Sequence, residues 1–219
     1  MKETTSREQV LKKIRNALMN NKKQHSEFVN VDFESPIYAT SDESPEMSFA
    51  QKFTALTGKF AFCEDYNEFS VLLSEIVKEQ KLGDIFCTEP KLIELLEKSA
   101  IKFSSVQDSV GNHKASITFC EALISRTGSI MVTSMQASGR KAPVAPDIHF
   151  VVAYTSQFVD DIKDGFETIK KKYGDKQPSM ISLITGPSRT ADIEKTLVLG
   201  AHGPKEMYIF LFDDSILTD

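Results

Sequence analysis

The fold class follows from residues 59–98, which read KFAFCEDYNEFSVLLSEIVKEQKLGDIFCTEPKLIELLEK. The apolar run Phe60–Cys63 predicts a strand, and Asp65 opens an Asp-x-x-Glu capping box that is followed by apolar residues at helical spacing. Asp84–Thr88 then predicts a second strand, and Thr88–Lys98 predicts a second helix that tolerates a proline in its first turn. Strands that alternate with helices are typical of an α/β domain.

The same alternation continues towards the carboxyl terminus. Further strands are predicted at Ser116–Phe119, Ser129–Thr133, Ile148–Tyr154, Met180–Thr185 and Tyr208–Phe212. A helix is predicted after Ser156, where Val159, Ile162, Phe166 and Ile169 recur at spacings of three and four. Several strands are continuous apolar runs, which indicates burial by helices on both faces. We therefore expect an open, mostly parallel, Rossmann-like α/β sheet built from right-handed crossovers.

The amino-terminal region has a different character. Ser6 starts a capping box before an amphipathic helix, and residues 20–45 are polar, carry two prolines and show little periodicity. This stretch fits a linker, or an arm that docks on the surface through aromatic residues such as Phe28. We expect an N-terminal helical arm or linker over residues 1–45 and an α/β domain over residues 46–219.

The charge pattern disfavours two classes of partner. The net charge is −5, and the lysines are interspersed with carboxylates, so no basic stripe is available to neutralise the phosphates of nucleic acid. No apolar run approaches the roughly 20 residues of a membrane-spanning helix. The sequence therefore predicts a cytoplasmic protein with no nucleic-acid partner and no membrane span.

The cysteines predict no metal chemistry in this chain. Cys63, Cys87 and Cys120 are widely spaced and include no Cys-x-x-Cys pair, whereas iron–sulfur and structural zinc sites use clustered thiolates. The four histidines are equally scattered. We expect three buried, inert thiols, no bound metal and no iron–sulfur cluster.

The segment after the predicted strand at 180–185 is the strongest candidate for a ligand site. Gly186 allows a ligand to approach the backbone closely, Ser188 and Thr190 offer hydroxyl groups, and Arg189 offers a fork suited to carboxylate or phosphate. A helix starting in this segment would add N–H donors, and Asp192 and Glu194 could supply a carboxylate. The alternative is structural: a capped helix start, with Arg189 paired to one of these acids.

Two further segments offer polar groups. His202 lies between two glycines and before a proline, and it fits an acid, a base or an anion contact as well as it fits a structural turn together with Gly203. Thr127 and Gly128 precede a predicted strand, and Arg140 follows it, which makes Arg140 a candidate second anion contact. Structural turn chemistry is the alternative for these three residues.

These segments together resemble a known family. The run Thr185–Glu194, continued by Leu197–Pro204, resembles the C-terminal signature of the LUD (lactate utilisation) domain family. Upstream, Thr127–Ser129, Arg140 and Pro146–His149 are similar to further motifs of that family. The resemblance implies a fold of the NagB/RpiA/CoA-transferase-like type, shared with sugar-phosphate isomerases.

The resemblance also implies a function. It is that of an accessory subunit in the oxidation of L-lactate to pyruvate, working with companion subunits that carry iron–sulfur clusters and binding a small anionic ligand. Two alternatives stay open: a stand-alone enzyme acting on a phosphorylated or CoA-linked substrate, and a non-catalytic sensor module. One departure from the family pattern is Arg126, which stands where the family usually has an acidic residue.

Overall fold

The structure, a computed structural model, describes residues 10, 12, 13, 15, 16, 43–190 and 198–214. The five described residues before position 43 are helical, as the sequence predicts, whereas the capping box at Ser6 and most of the arm lie outside the described residues. The chain separates into two compact units, residues 1–41 and 42–219. The second unit contains all the described strands and the helices from Pro45 onwards.

Six parallel strands form the main sheet, in the spatial order β1-β12-β7-β4-β2-β3. Their bounds are β1 Lys59–Cys63, β2 Ile85–Phe86, β3 Phe103–Ser104, β4 Ala115–Phe119, β7 Ile148–Tyr154 and β12 Glu206–Phe212. The predicted open α/β sheet with parallel strands is thereby confirmed. None of the helices in the described ranges is long and apolar enough to cross a membrane.

A second sheet contains two strands that the sequence analysis assigned to the parallel sheet. Its order is β8-β5-β6-β9, and its members are β5 Ala122–Ile124, β6 Ser129–Thr133, β8 Phe158–Val159 and β9 Ile181–Ile184. Strand β6 is antiparallel to both β5 and β9, whereas β8 is parallel to β5. The link from β5 to β6 is too short for a parallel crossover, which needs a dozen or more residues, so these strands form a hairpin.

The helices are α1 Pro45–Ala55, α2 Tyr66–Glu79, α3 Pro90–Lys98 and α4 Ile162–Tyr173, and a 3₁₀ helix spans Gln107–Asn112. Helix α4 starts later than predicted, because Asp161 caps it and the preceding Val159 belongs to β8. Helix α1 starts at Pro45, at the end of the predicted arm, where the Ser44 hydroxyl accepts a hydrogen bond from the Met47 N–H. Serine at the cap and proline in the first turn both favour a helix start.

The two faces of the main sheet are covered differently. On β12, alternate residues such as Phe210 and Phe212 pack in a cluster with α2 and α3, whereas Ile209 packs on the other face with Phe49 and Phe53 of α1. That second cluster also includes residues of β5 and β6. Helices therefore cover one face, and α1 with the second, mixed sheet covers the other, instead of the helices expected on both faces. A continuous apolar strand is expected whether its two faces are covered by helices or by a second sheet.

Candidate functional site

The two candidate segments of the C-terminal signature lie against each other. The Ser188 N–H donates to the Pro204 carbonyl at 2.8 Å, and the Gly200 N–H donates to the Ser188 carbonyl at 2.9 Å. The His202 N–H also donates to the Ser188 hydroxyl, at 3.4 Å. A Cβ atom on Gly203 would lie 3.3 Å from that of Ser188, so the two turns are in close contact.

These turns form one wall of a cleft of about 480 Å³, which we call the signature cleft. Its lining residues include Gly186, Ser188, Arg189, His202 and Gly203, together with Leu56, Val144 and Leu183. Val144 and Leu183 are 42% and 40% exposed, which leaves apolar surface beside the polar groups. The structure thus brings five of the predicted site residues into one concave surface.

The backbone around Arg189 differs from the prediction. Arg189 and Thr190 form a short strand, β10, that pairs antiparallel with β11 (Val198–Leu199), so they are not the first turn of a helix. The preceding strand, β9, is also antiparallel to its neighbour. The expected source of anion affinity, the N–H groups of a helix start, is therefore absent at these described residues, and the strand that leads into the segment is not a parallel one. Asp192 and Glu194 lie outside the described residues.

The guanidinium of Arg189 binds the end of α1. Its Nη2 donates to the Leu56 carbonyl and, at 2.7 Å, to the Thr57 hydroxyl. Gly186, which has a φ of +76°, packs against Leu56. A Cβ atom at position 186 would lie 3.1 Å from the Leu56 Cβ. Arg189 and Gly186 therefore attach α1 to the signature cleft.

Thr127 and Gly128 do not line the signature cleft. Gly128 has a φ of +62°, and a Cβ atom at this position would lie 2.7 Å from the Phe53 backbone nitrogen. The next residue, Ser129, has its hydroxyl 2.7 Å from that of Thr185, the residue before Gly186. This turn therefore joins α1 to the strand that leads into the cleft.

Arg140 is placed apart from the signature cleft. Its Nη2 donates to the Ser179 hydroxyl at 2.6 Å, and it lines a separate pocket of about 240 Å³ with Lys141 and Ser138. The floor of that pocket includes Phe86. The structure therefore does not bring Arg140 together with the other predicted anion contacts.

Two buried carboxyl groups were not singled out from the sequence. Glu89 and Glu121 follow β2 and β4 at the carboxyl edge of the main sheet, and they are 7% and 5% exposed. Burial raises the pKa of Glu89, whereas Glu121 accepts hydrogen bonds from Lys172 at 2.7 Å and Tyr173 at 2.6 Å. Their position directly after predicted strands is the signal that could have identified them.

Arg126, the departure from the family pattern, has a local partner. Its Nη2 lies 2.7 Å from Asp161 Oδ1, and this contact is the main cause that lowers the pKa of Asp161. Asp161 is also the cap of α4, so the pair connects the β5–β6 turn to that helix. Among the residues that the structure describes, no group of three metal-ligating side chains is present.

A parallel α/β sheet backed by a small mixed sheet, with a cleft formed by two hydrogen-bonded turns, defines the structural class of this protein. The chain belongs to the LUD domain family, whose model matches residues 46–212. It is 36% identical over 100 residues to lactate utilization protein C of Bacillus licheniformis, a match that covers 44% of this chain and 42% of that protein. The match to lactate utilization protein C of Bacillus subtilis has the same coverage at 35% identity.

The chain also resembles proteins whose names state no activity. An uncharacterized Neisseria meningitidis protein is 35% identical over 98 residues, which cover 45% of this chain and 42% of that protein. The chain thus spans less than half the length of these curated relatives. The crystal structure of a DUF162 family protein from Deinococcus radiodurans superposes with a TM-score of 0.52 at 17% identity, covering 80% of this chain and 99% of that one. At this identity, the likeness concerns the fold.

Proposed function

We propose that this chain takes part in lactate utilisation as an accessory subunit that binds a small organic anion in the signature cleft. The names of the relatives from Bacillus licheniformis and Bacillus subtilis support a role in lactate utilisation. The observation that carries the choice of site is the hydrogen-bonded contact between the Ser188 turn and the His202–Pro204 turn, which makes one cleft from two segments of the C-terminal family signature.

The chemistry of the cleft favours a short carboxylic acid. Ser188 and His202 supply polar side chains, and the guanidinium of Arg189 adds positive charge that attracts a carboxylate. Val144 and Leu183 offer apolar contact for a small carbon skeleton. A 2-hydroxy or 2-oxo acid combines a carboxylate, a second oxygen and a short apolar chain, so L-lactate and pyruvate are the appropriate probes.

The proposal assigns electron transfer to companion subunits that carry iron–sulfur clusters. All three cysteines are buried free thiols, and burial raises the pKa of Cys63 and Cys87 to about 12. Thiolates, not thiols, are the ligands of iron–sulfur clusters, so these side chains are poorly suited to bind one. Copurification of the full chain with proteins from its own cell would identify such companions.

Calorimetric titration of the full chain tests the site. We expect L-lactate or pyruvate to bind and the neutral amide of lactate to bind more weakly. Replacing His202→Gln should reduce the affinity, whereas Arg140→Gln should leave it unchanged because Arg140 lines a different pocket. If His202→Gln has no effect, or if neither acid binds at roughly millimolar concentration, the signature cleft is not the site of a small carboxylate.

A further inference from the structure

A second concave surface lies at the carboxyl edge of the parallel sheet. Strand β4 ends there at Phe119 and β7 ends at Tyr154, and Tyr66 at the start of α2 and residues of α3 complete the lining. We call this surface the edge pocket, and its volume is about 350 Å³. That volume is within the range of sites that hold small molecules. In open parallel sheets, ligands gather beyond the carboxyl ends of the strands.

The floor of the edge pocket is aromatic. The rings of Phe119 and Tyr154 stack with centroids 6.1 Å apart and an interplanar angle of 27°. Tyr66 and Tyr154 both contact the ring of Phe212, at centroid distances of 5.2 and 6.0 Å. Phe212 is fully buried, whereas Tyr66, Phe119 and Tyr154 are only partly buried. Two partly exposed rings thus rest on a buried one, and the ring of Phe119 extends this surface beside Tyr154, which suits the stacking of a flat ligand.

The aromatic floor also carries polar edges. Burial raises the pKa of Tyr154, and the neighbouring Tyr66 side chain raises it further, so the Tyr154 hydroxyl stays protonated at physiological pH. Asn67 adds an amide at the side of the pocket, whereas the hydroxyl of Ser70 already donates to the Tyr66 carbonyl. A ligand with ring nitrogens or exocyclic amino groups could exchange hydrogen bonds with these groups, which a purely hydrocarbon ring could not do.

Helix α3 supplies positive charge at the rim. Lys91 and Lys98 both line the pocket, and their spacing of seven residues places them about 10 Å apart on one helix face. Glu94 lies between them in sequence. Within the described ranges, neither lysine has a carboxylate within ion-pair distance, so both ammonium groups are available to a ligand. The rim is therefore net positive on a chain whose net charge is −5.

We propose that the edge pocket binds a nucleotide, with its planar base on the rings of Tyr66, Phe119 and Tyr154 and its phosphate at Lys91 and Lys98. The flat base accounts for the aromatic floor, and the phosphate accounts for the two lysines at the rim. The edge pocket shares no lining residue with the signature cleft and is proposed to bind a different class of ligand. The two proposals can therefore be tested independently.

Titration of the full chain with AMP, ATP, adenosine and inorganic phosphate tests the proposal. We expect AMP and ATP to bind more tightly than adenosine, and inorganic phosphate alone to bind weakly, because both the ring and the charge contribute. The double variant Lys91→Gln/Lys98→Gln should weaken ATP binding by about two- to fivefold, as is typical of exposed charge contacts, and should leave adenosine unaffected. The matched control, Lys171→Gln, replaces an exposed lysine of α4 outside the pocket and should change neither affinity.

A substitution in the floor separates stacking from charge. Tyr154→Leu should weaken both ATP and adenosine by at least about fivefold, in line with the loss of base stacking. Circular dichroism and a melting curve establish whether Tyr154→Leu is folded. If Tyr154→Leu is unfolded, the double lysine variant still tests the proposal. The proposal is overturned if no nucleotide binds at roughly millimolar concentration, if inorganic phosphate binds as tightly as AMP, or if the lysine variant binds ATP like the parent chain.

Discussion

His149 Nε2 lies 2.9 Å from Thr118 Oγ1, and the two residues belong to the neighbouring parallel strands β7 and β4. The imidazole is fully buried, and its Nδ1 has no hydrogen-bond partner among the described residues. Burial without a neighbouring negative charge disfavours the protonated ring, which lowers the pKa of His149 from 6.5 to about 3. His149 is therefore a neutral core residue at physiological pH.

We expect His149 to make the fold sensitive to acid. Between pH 6.5 and about 3, the unfolded chain binds a proton at this residue and the folded chain does not, so the free energy of unfolding falls as the pH falls. The full effect is about 5 kcal/mol at a pH below both values. Denaturant unfolding of the parent and of His149→Gln, which does not titrate, measures the difference. Parallel pH profiles for the two proteins would contradict this assignment.

Glycine at position 128 is required by the close approach of α1. Gly128→Ala should destabilise the protein by about 3 kcal/mol or more, because it combines a left-handed backbone with a Cβ atom only 2.7 Å from the Phe53 nitrogen. Gly139 is a matched control with a φ of +64°, and a Cβ atom added there would meet no other atom within 4 Å. Gly139→Ala should cost only about 1–2 kcal/mol for the backbone. Equal losses in thermal unfolding would mean that contact with α1 is unimportant.

The strands were easier to predict from the sequence than their partners. Ser129–Thr133 and Ile148–Tyr154 have the predicted bounds, because both are continuous apolar runs between polar turns. A continuous apolar run indicates that both faces of a strand are buried, and it does not distinguish a parallel from an antiparallel sheet. The assignment of Ser129–Thr133 to the main sheet was wrong for this reason. The missed signal was the link between the predicted strands Ser116–Phe119 and Ser129–Thr133, which is shorter than the dozen residues that a parallel crossover needs.

The candidate site was predictable only where its contacts are local. Ser188 and His202 lie 14 positions apart in one family signature, and the structure brings them together. The contact of Arg189 with Leu56 spans 133 positions and ends on a backbone carbonyl, which any residue type would supply. No pattern in the sequence reports such a partner. The aromatic floor of the edge pocket could not be predicted for the same reason, because Tyr66, Phe119 and Tyr154 belong to three elements that are distant in sequence.

We expect the second unit to fold without the residues before α1. All described hydrophobic clusters consist of residues from Phe49 onwards, and Ser44 is the cap of the first helix that contributes to them. A chain that begins at residue 43 should therefore unfold cooperatively. A chain that begins at residue 59 loses the fully buried Phe49 and Phe53 and should be insoluble or lack a cooperative transition. If both truncations unfold alike in calorimetry, α1 is not part of the core.

Arg189 provides the sharpest test of what the signature cleft does, because its contacts suggest two roles. As the partner of the Leu56 carbonyl and the Thr57 hydroxyl, it should stabilise the end of α1, and Arg189→Ala should lower the free energy of unfolding by about 1.5–3 kcal/mol. As an anion contact alone, the same change would leave stability intact and reduce carboxylate affinity by about ten- to a hundredfold.

A double-mutant cycle with Thr57→Ala separates these roles. If Arg189 stabilises α1 through the Thr57 hydroxyl, the losses of stability from the two single variants will not add, since each removes the same hydrogen bond. Arg189→Lys should recover only part of the stability, because the lysine side chain is one bond shorter than the path from Cα to Nη2, the single nitrogen that makes both hydrogen bonds. Additive losses in the cycle, together with a fall in the affinity for L-lactate or pyruvate, would instead assign Arg189 to the ligand.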